Sequence, residues 1–192
     1  MKKAAIIHGT GGSPGRNWFR SVAEKLEGVG FRTYIPHFPT PEGQTLENWV
    51  KHFNSEVGEL DRHSLLIGHS VGAAFVLRLL ERLKAPIDTS VLVAGFTGSL
   101  GLPEYDALNS TFVAVPFNWD KIRTNSNNFI CMSGDKDPYV PIEQGKEIAD
   151  QLRVEHIIIK GGGHLNSEFG FTSFPRILDE LTKIGTLDRI HN

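Results

Sequence analysis

A short apolar run, Ser64–Ile67, leads directly into Gly68-His69-Ser70-Val71-Gly72, which has the pattern Gly-x-Ser-x-Gly. The run predicts a buried strand. The mostly apolar residues from Val71 to Leu83 predict a helix with one solvent-exposed stripe, formed by Arg78, Glu81 and Arg82. Glycine two positions before and after the serine leaves room where a sharp turn brings a helix against a strand. The sequence therefore predicts strand, turn and helix, with Ser70 at the tip of the turn.

A serine in this position is a candidate nucleophile. Its hydroxyl reacts only when it is exposed, hydrogen-bonded to a base and close to donors that receive an oxyanion. The turn supplies the exposure. The pentapeptide alone is equally compatible with a tight strand-to-helix connection that has no chemical role.

Apolar, β-branched runs alternate with amphipathic helical stretches along the chain, which predicts a parallel α/β sheet. Helical spacing or a helix-start residue marks segments near Trp18, Pro141 and Ser173. The predicted strands lie at residues 4–7, 31–35, 65–67, 91–93, 129–132 and 156–159.

Three reactive residue types follow three of these strands. Ser70 follows the third, Asp135 and Asp137 follow the fifth, and His164 follows the sixth after Gly161, Gly162 and Gly163. Asp137 alone could be a turn or cap residue, and His164 alone an ordinary loop histidine. Because ligands bind beyond the carboxyl ends of parallel strands, their joint placement predicts a Ser70-His164-Asp137 triad. The order Ser, Asp, His is that of α/β-hydrolases.

The first strand ends in a glycine-rich loop, His8-Gly9-Thr10-Gly11-Gly12. Backbone amides of such a loop can complete an oxyanion hole, and we expect the donors to be the N–H groups of Thr10 and Val71. The alternative is a dinucleotide-binding fingerprint. However, Pro14 replaces its third glycine, and the acidic ribose ligand is missing from residues 30–35.

Composition excludes several other classes of function. The 192 residues suit one domain, 1–192, and 20 basic against 22 acidic residues form no run that predicts binding to nucleic acid. No stretch reaches the length of a membrane span. The single cysteine, Cys131, excludes an intramolecular disulfide, and we expect a cytoplasmic location. The eight histidines lack metal-site spacing, so no metal is expected; they are His8, His37, His52, His63, His69, His156, His164 and His191.

The connection from Phe96 to Asn128 is long and predicted to be irregular apart from at most one short helix. Long connections in compact domains are often lids or binding loops. Its aromatic residues, above all Phe96 and Trp119, could line a substrate pocket or could anchor the loop to the body of the protein.

With these motifs in place, the chain resembles the small single-domain serine hydrolases of the YdeN-like and retinoblastoma-binding-protein-nine-like type. The similarity spans nearly the whole chain. Beyond residues 68–72 it includes Pro116–Ile122, Gly163-His164 and Glu168–Ser173. The resemblance implies Ser70 as nucleophile, His164 as base and Asp137, within a D-x-x-V-P pattern, as the acid.

The resemblance also implies a compact α/β-hydrolase fold without a large cap domain. We expect a three-layer sandwich with a six-stranded, largely parallel sheet in the order 2-1-3-4-5-6. The expected activity is hydrolysis of small acyl esters through an acyl-enzyme, without a cofactor. Amide or peptide hydrolysis by the same triad is one alternative. A module that uses a hydrolase scaffold, near Trp119, to bind a protein partner is another.

Overall fold

The six predicted strands form one parallel sheet in the computed structural model, which describes residues 2–187. The strands are β1 (Lys2–Ile7), β2 (Phe31–Tyr34), β3 (Leu65–His69), β4 (Ile87–Val93), β5 (Ser126–Gly134) and β6 (His156–Ile159). Their order is β2-β1-β3-β4-β5-β6, and every neighbouring pair is parallel. The predicted fold class and strand order are confirmed.

Helices connect the strands and cover both faces of the sheet. Within residues 2–187 they are α1 (Phe19–Gly28), α2 (Leu46–Glu56), α3 (Val71–Leu80), α4 (Pro103–Val113), α5 (Trp119–Thr124), α6 (Ile142–Leu152) and α7 (Pro175–Lys183), with a 3-10 turn at Ser167–Phe169. None of the described helices is long and apolar enough to cross a membrane.

Alternation along the strands divides the apolar side chains between two cores. In β1, Ala4 and Ile6 pack in the core beneath α1 and α7, whereas Ala5 and Ile7 pack in the core beneath α2 through α6. The same two-residue period recurs in β3, where Leu66 faces one core and Ile67 the other. The sheet is therefore buried on both faces, as its near-continuous apolar strands require.

The connection after β4 differs from the sequence prediction. It contains two helices, α4 and α5, so the expectation of an irregular segment with at most one short helix is wrong. Both helices begin at residues that favour a helix start and that can be read in the sequence. Pro103 occupies the first turn of α4, and the Asn118 side chain accepts a hydrogen bond from Lys121 N at the start of α5.

Arg78 also differs from its prediction. It was expected on a solvent-exposed stripe of α3, but it is only 5% exposed. Its guanidinium group donates to the carbonyl oxygens of Phe112 and Val115 and pairs with Glu81. Arg78 therefore satisfies backbone acceptors at the end of α4 and attaches the α4–α5 connection to α3.

The turn between β3 and α3 depends on close backbone contacts. A Cβ atom on Gly72 would overlap the carbonyl oxygen of Ile7 and lie 2.7 Å from that of His8. On Gly68 it would overlap the backbone of Gly72 and lie 2.6 Å from Ala73 N. All of these neighbours are backbone atoms, which cannot move aside as a flexible side chain could. The two glycines of the Gly-x-Ser-x-Gly pattern thus let α3 lie directly against β1 and β3.

We expect Gly72→Ala to lower the free energy of unfolding by more than about 2 kcal/mol, since the new methyl group must displace the β1 backbone. Gly28→Ala at the end of α1 is the matched control, because a Cβ there meets nothing within 4 Å. It should be neutral or stabilising by up to about 1 kcal/mol. Urea unfolding measures both, and equal effects of the two variants would contradict this account of the turn.

Candidate active site

Ser70 occupies a strained turn at the end of β3. Its backbone has φ 59° and ψ −127°, in a region that costs a non-glycine residue on the order of 1–3 kcal/mol. Its N–H donates to Val93 O at 2.9 Å, and its carbonyl accepts from Ala73 N at 2.9 Å. The Ser70 side chain forms no hydrogen bond with the N-terminus of α3. The hydroxyl therefore lies at the tip of the turn and does not serve as a cap of α3.

His164 and Asp137 form a hydrogen-bonded pair at the same edge of the sheet. His164 Nδ1 lies 2.7 Å from Asp137 Oδ2, and the two side chains are 9% and 3% exposed. The other carboxylate oxygen, Oδ1, accepts from Tyr139 N at 2.9 Å and Val140 N at 3.0 Å. Because a carboxylate only accepts, Nδ1 carries the proton, which leaves Nε2 of His164 as an acceptor.

Asp135 has a different set of contacts. Its Oδ1 accepts from Gly161 N, and its backbone carbonyl accepts from Gly163 N at 3.0 Å. Both bonds join the end of β5 to the loop that precedes His164. The structure therefore brings Asp137 to His164 and uses Asp135 to hold the loop on which His164 sits.

The glycine-rich loop after β1 lies against Ser70. A Cβ atom on Gly9 would be 2.8 Å from Ser70 Cβ, so only glycine allows this approach. Among residues 2–187, the amides of Thr10 and Val71 donate to no backbone carbonyl. Val71 follows Ser70 directly in the chain, and Thr10 follows Gly9, the residue that contacts Ser70.

Ser70 and His164 lie in a cleft with two lobes of about 190 and 310 Å³. Both lobes share Thr10, Arg16 and Glu168 as lining residues. The smaller lobe is lined mainly by the glycine-rich loop and polar side chains. The larger lobe adds apolar, aromatic and amide side chains, namely Leu100, Tyr105, Asn109, Tyr139 and Val140.

The two aromatic residues predicted to contact substrate lie elsewhere. Phe96 is 1% exposed and belongs to the core beneath α2 through α6. Trp119, at the start of α5, packs against Phe117 with ring centroids 5.5 Å apart. Neither lines the cleft. Their positions correspond to the alternative in which they anchor the connection to the body of the protein.

Sequence reasoning did not find most of the cleft wall. Tyr139 is two residues from Asp137, so its proximity was available from the sequence. Tyr105 and Asn109 come from α4, a helix that the sequence did not predict. Asn109 is 99 positions from its partner Thr10, and no local spacing joins them.

Two further histidines are buried beneath the site. His69 Nε2 lies 2.9 Å from His164 O, so Nε2 carries the proton, and its buried Nδ1 has no partner among residues 2–187. His8 Nε2 accepts from Phe38 N at 3.0 Å, which leaves Nδ1–H to donate to Gly9 O at 2.8 Å. Burial lowers the pKa of His69 to about 3 and that of His8 to about 4. Both imidazoles are neutral in the folded protein near pH 7.

The remaining histidines do not gather into a metal-binding group. Among residues 2–187, no cluster of three or more His, Cys, Asp or Glu side chains could hold a metal ion. His191 lies outside the described residues. Cys131 is buried in β5, and burial raises the pKa of its thiol to about 12, so it is inert at neutral pH.

Known proteins include clear relatives of this chain. A family model described as serine hydrolase matches residues 4–183. The chain belongs to this serine hydrolase family. Relatives match it over nearly their whole length. YdeN of Bacillus subtilis is 30% identical over 183 residues, covering 94% of this chain and 95% of YdeN.

The serine hydrolase RBBP9 of Rattus norvegicus is 29% identical over 171 residues, covering 87% of this chain and 89% of RBBP9. The crystal structure of the B. subtilis ydeN gene product superimposes with a TM-score of 0.87, covering 95% of this chain and 98% of that one. Est1E of Butyrivibrio proteoclasticus, at 17% identity and a TM-score of 0.69, covers 95% of this chain and 85% of its own; it shares the fold.

Because His8 and His69 are buried and neutral, we expect the folded protein to lose stability at acid pH. Their folded pKa values lie below the ordinary value of 6.5, so the unfolded chain binds more protons between about pH 4 and 6.5. The stability that they contribute is complete above pH 6.5 and is lost as the pH falls. Each histidine adds a slope approaching about 1.4 kcal/mol per pH unit.

We therefore expect His69→Gln, which keeps a donor for His164 O, to reduce the loss of unfolding free energy between pH 6.5 and 4.5. The exposed His63 provides the control, and His63→Gln should follow the wild type. Urea unfolding at several pH values measures the slopes. If His69→Gln lost stability with falling pH as steeply as the wild type, His69 would not be the buried neutral group inferred above.

Proposed function

We propose that this member of the serine hydrolase family cleaves small acyl esters through a triad of Ser70, His164 and Asp137 and a covalent acyl-enzyme. The observation that carries the proposal is the 2.7 Å hydrogen bond from His164, which lines the same cleft as Ser70, to the buried carboxylate of Asp137. That bond fixes the imidazole with its free nitrogen, Nε2, available to accept a proton.

In the first half-reaction, Ser70 Oγ attacks the ester carbonyl carbon as His164 Nε2 takes the hydroxyl proton. The carbonyl becomes an oxyanion, which the amides of Thr10 and Val71 receive. The tetrahedral intermediate then collapses. The bond to the alcohol oxygen breaks, and His164 gives its proton to the departing alkoxide. An acyl group remains on Ser70.

Water completes the cycle. His164 removes a proton from water, the resulting hydroxide attacks the acyl-enzyme, and a second oxyanion forms at the same donors. Collapse releases the carboxylic acid and returns the proton to Ser70. The Asp137 carboxylate accepts three hydrogen bonds, which hold it in place, and it stabilises the imidazolium formed in each half-reaction. Each step uses only side chains, backbone amides and water.

The size of the cleft favours small substrates. Typical small-molecule pockets have volumes of roughly 300–1,000 Å³. The smaller lobe, about 190 Å³, lies below this range, and the larger lobe, about 310 Å³, lies at its lower end. The walls of the larger lobe, including Leu100 and Tyr105, suit a short apolar chain. Short acyl esters fit this space better than long-chain lipids.

Replacing the nucleophile is the direct test. Ser70→Ala should abolish labelling by a fluorophosphonate probe and lower kcat for p-nitrophenyl acetate by on the order of a millionfold, because no other hydroxyl sits at the tip of the turn. Ser110→Ala on α4 is the control; its hydroxyl bonds Ala107 O outside the cleft, and both readouts should remain at the wild-type level. Substantial esterase activity in Ser70→Ala would contradict the assignment.

The two aspartates after β5 provide a second test. Asp137→Asn replaces the acceptor of the His164 Nδ1 proton by an amide, favours the wrong tautomer and should lower kcat by about ten-thousandfold. Asp135→Asn keeps an oxygen that can accept from Gly161 N, so it should retain most of the rate and lose mainly thermal stability. Turnover at saturating substrate and melting temperatures distinguish the two. Greater loss of turnover in Asp135→Asn would transfer the role to Asp135.

A further inference from the structure

Asn109 is a buried polar side chain in the cleft that the mechanism above does not use. It lies on α4, is only 2% exposed and lines the larger lobe together with Ser70. Most other residues that this lobe adds are apolar or aromatic. A buried amide in such a wall needs partners for its oxygen and its nitrogen, because an unpaired buried polar group is costly.

The oxygen of Asn109 has two donors. Its Oδ1 accepts from Thr10 Oγ1 at 2.8 Å and from Gln44 Nε2 at 2.8 Å. Gln44 Nε2 also lies 2.9 Å from Thr10 Oγ1. Thr40 Oγ1 donates to Gln44 Oε1 at 2.5 Å and accepts from Gly11 N at 2.7 Å. This network ties α4 to the glycine-rich loop.

The network fixes which way the amide points. Gln44 Nε2 also lies 3.4 Å from the carbonyl oxygen of Leu108, which can only accept, so this atom of Gln44 is a donor. Rotating the Asn109 amide by 180° would place the Nδ2 hydrogens against Gln44 Nε2, a donor against a donor. Among residues 2–187, Asn109 Nδ2 takes part in no hydrogen bond, and it is not one of the enclosed polar atoms without a partner. Nδ2 therefore keeps access to the cleft, with its N–H groups unused.

We propose that Asn109 is a specificity-determining residue whose Nδ2 donates a hydrogen bond to the substrate, and that the protein selects esters with an oxygen or nitrogen acceptor close to the scissile group. The selection rests on the proposed esterase function. A donor held rigid by Gln44 and Thr10 loses little entropy on binding. An ester with a methylene group in place of the acceptor would leave that donor desolvated and unpaired, which is how a polar site rejects an apolar analogue.

Two pairs of esters test the selection in the wild-type protein. p-Nitrophenyl methoxyacetate and p-nitrophenyl butyrate differ by one ether oxygen on the acyl side, and 2-methoxyethyl acetate and butyl acetate differ in the same way on the alcohol side. We expect kcat/KM, divided by the rate of hydroxide hydrolysis, to favour the methoxy ester by about tenfold in at least one pair. Equal normalised values in both pairs would overturn the proposal.

Variants assign the preference to Asn109. Asn109→Asp keeps the oxygen that accepts from Thr10 and Gln44 but replaces the N–H donors by an acceptor, so the preference should disappear. Asn109→Leu removes the donor without adding charge and should have the same effect, which covers the case in which the aspartate variant does not fold. Persistence of the preference in a folded variant, or an equal loss of rate with all four esters, would overturn the proposal.

Thr111→Val is the matched control. Thr111 Oγ1 accepts from Leu46 N at 2.9 Å, so it joins α4 to the start of α2, but it does not line the cleft. Its ester preference should equal that of the wild type. Fluorophosphonate labelling of Ser70 separates the two proposals. A protein that labels but shows no preference retains the esterase function and loses only the role of Asn109, whereas absence of labelling overturns both.

Discussion

The close approach of α3 to β1 and β3 is the contact on which the rest of the site depends. Gly68 and Gly72 have backbone neighbours where any other residue would place a Cβ atom, so the helix can begin directly above the sheet. This approach holds Ser70 in a strained backbone conformation that a freely rotating loop would leave. The cost of the strain is offset by the burial of all ten residues of α3, eight of which belong to the core beneath α2 through α6.

The sheet then determines which residues reach Ser70. All its strands are parallel, so the loops after β1, β5 and β6 open at the same edge as the turn after β3. His69 adds a direct connection, because its Nε2 donates to the backbone carbonyl of His164. The residue that precedes the serine thus holds the backbone of the residue proposed to remove its proton. A neutral His69 is needed for this role without repulsion, since its ring centroid is 4.8 Å from that of His164.

The sheet and the residues at its edge could be predicted from the sequence because short-range patterns encode them. Most strands contain a short apolar run, and Ser70, Asp137 and His164 each follow such a run within a few positions. The distinction between Asp135 and Asp137 required a family pattern. Strand boundaries alone place both carboxylates near the loop, and only the direction of each side chain separates their partners.

The cleft wall could not be predicted in the same way. Its residues on α4 reach the site because Arg78 attaches the end of that helix to α3 and because Gln44, Asn109 and Thr10 meet from three distant segments. Residue type alone predicts Phe96 and Trp119 in a pocket wall, but Phe96 belongs to the core and Trp119 is partly buried against it. Aromatic content in a long connection therefore indicates that the connection is packed, without indicating what it contacts.

The proposed reacting groups lie at the carboxyl edge of the sheet, whereas the residues that face a substrate lie in the wall of the cleft. This difference explains why family membership defines a reaction class better than a substrate. The proposed mechanism needs a hydroxyl, an imidazole, a carboxylate and two amides, and a parallel sheet positions all of these with backbone contacts that depend on few side chains. In our proposal, substrate choice depends instead on the helix that covers the sheet edge and on single side chains such as Asn109, whose partners lie far apart in the sequence. The ydeN gene product, at 30% identity, shares the fold that positions the first set of groups in this chain. The second set must be established from the hydrogen bonds of each wall.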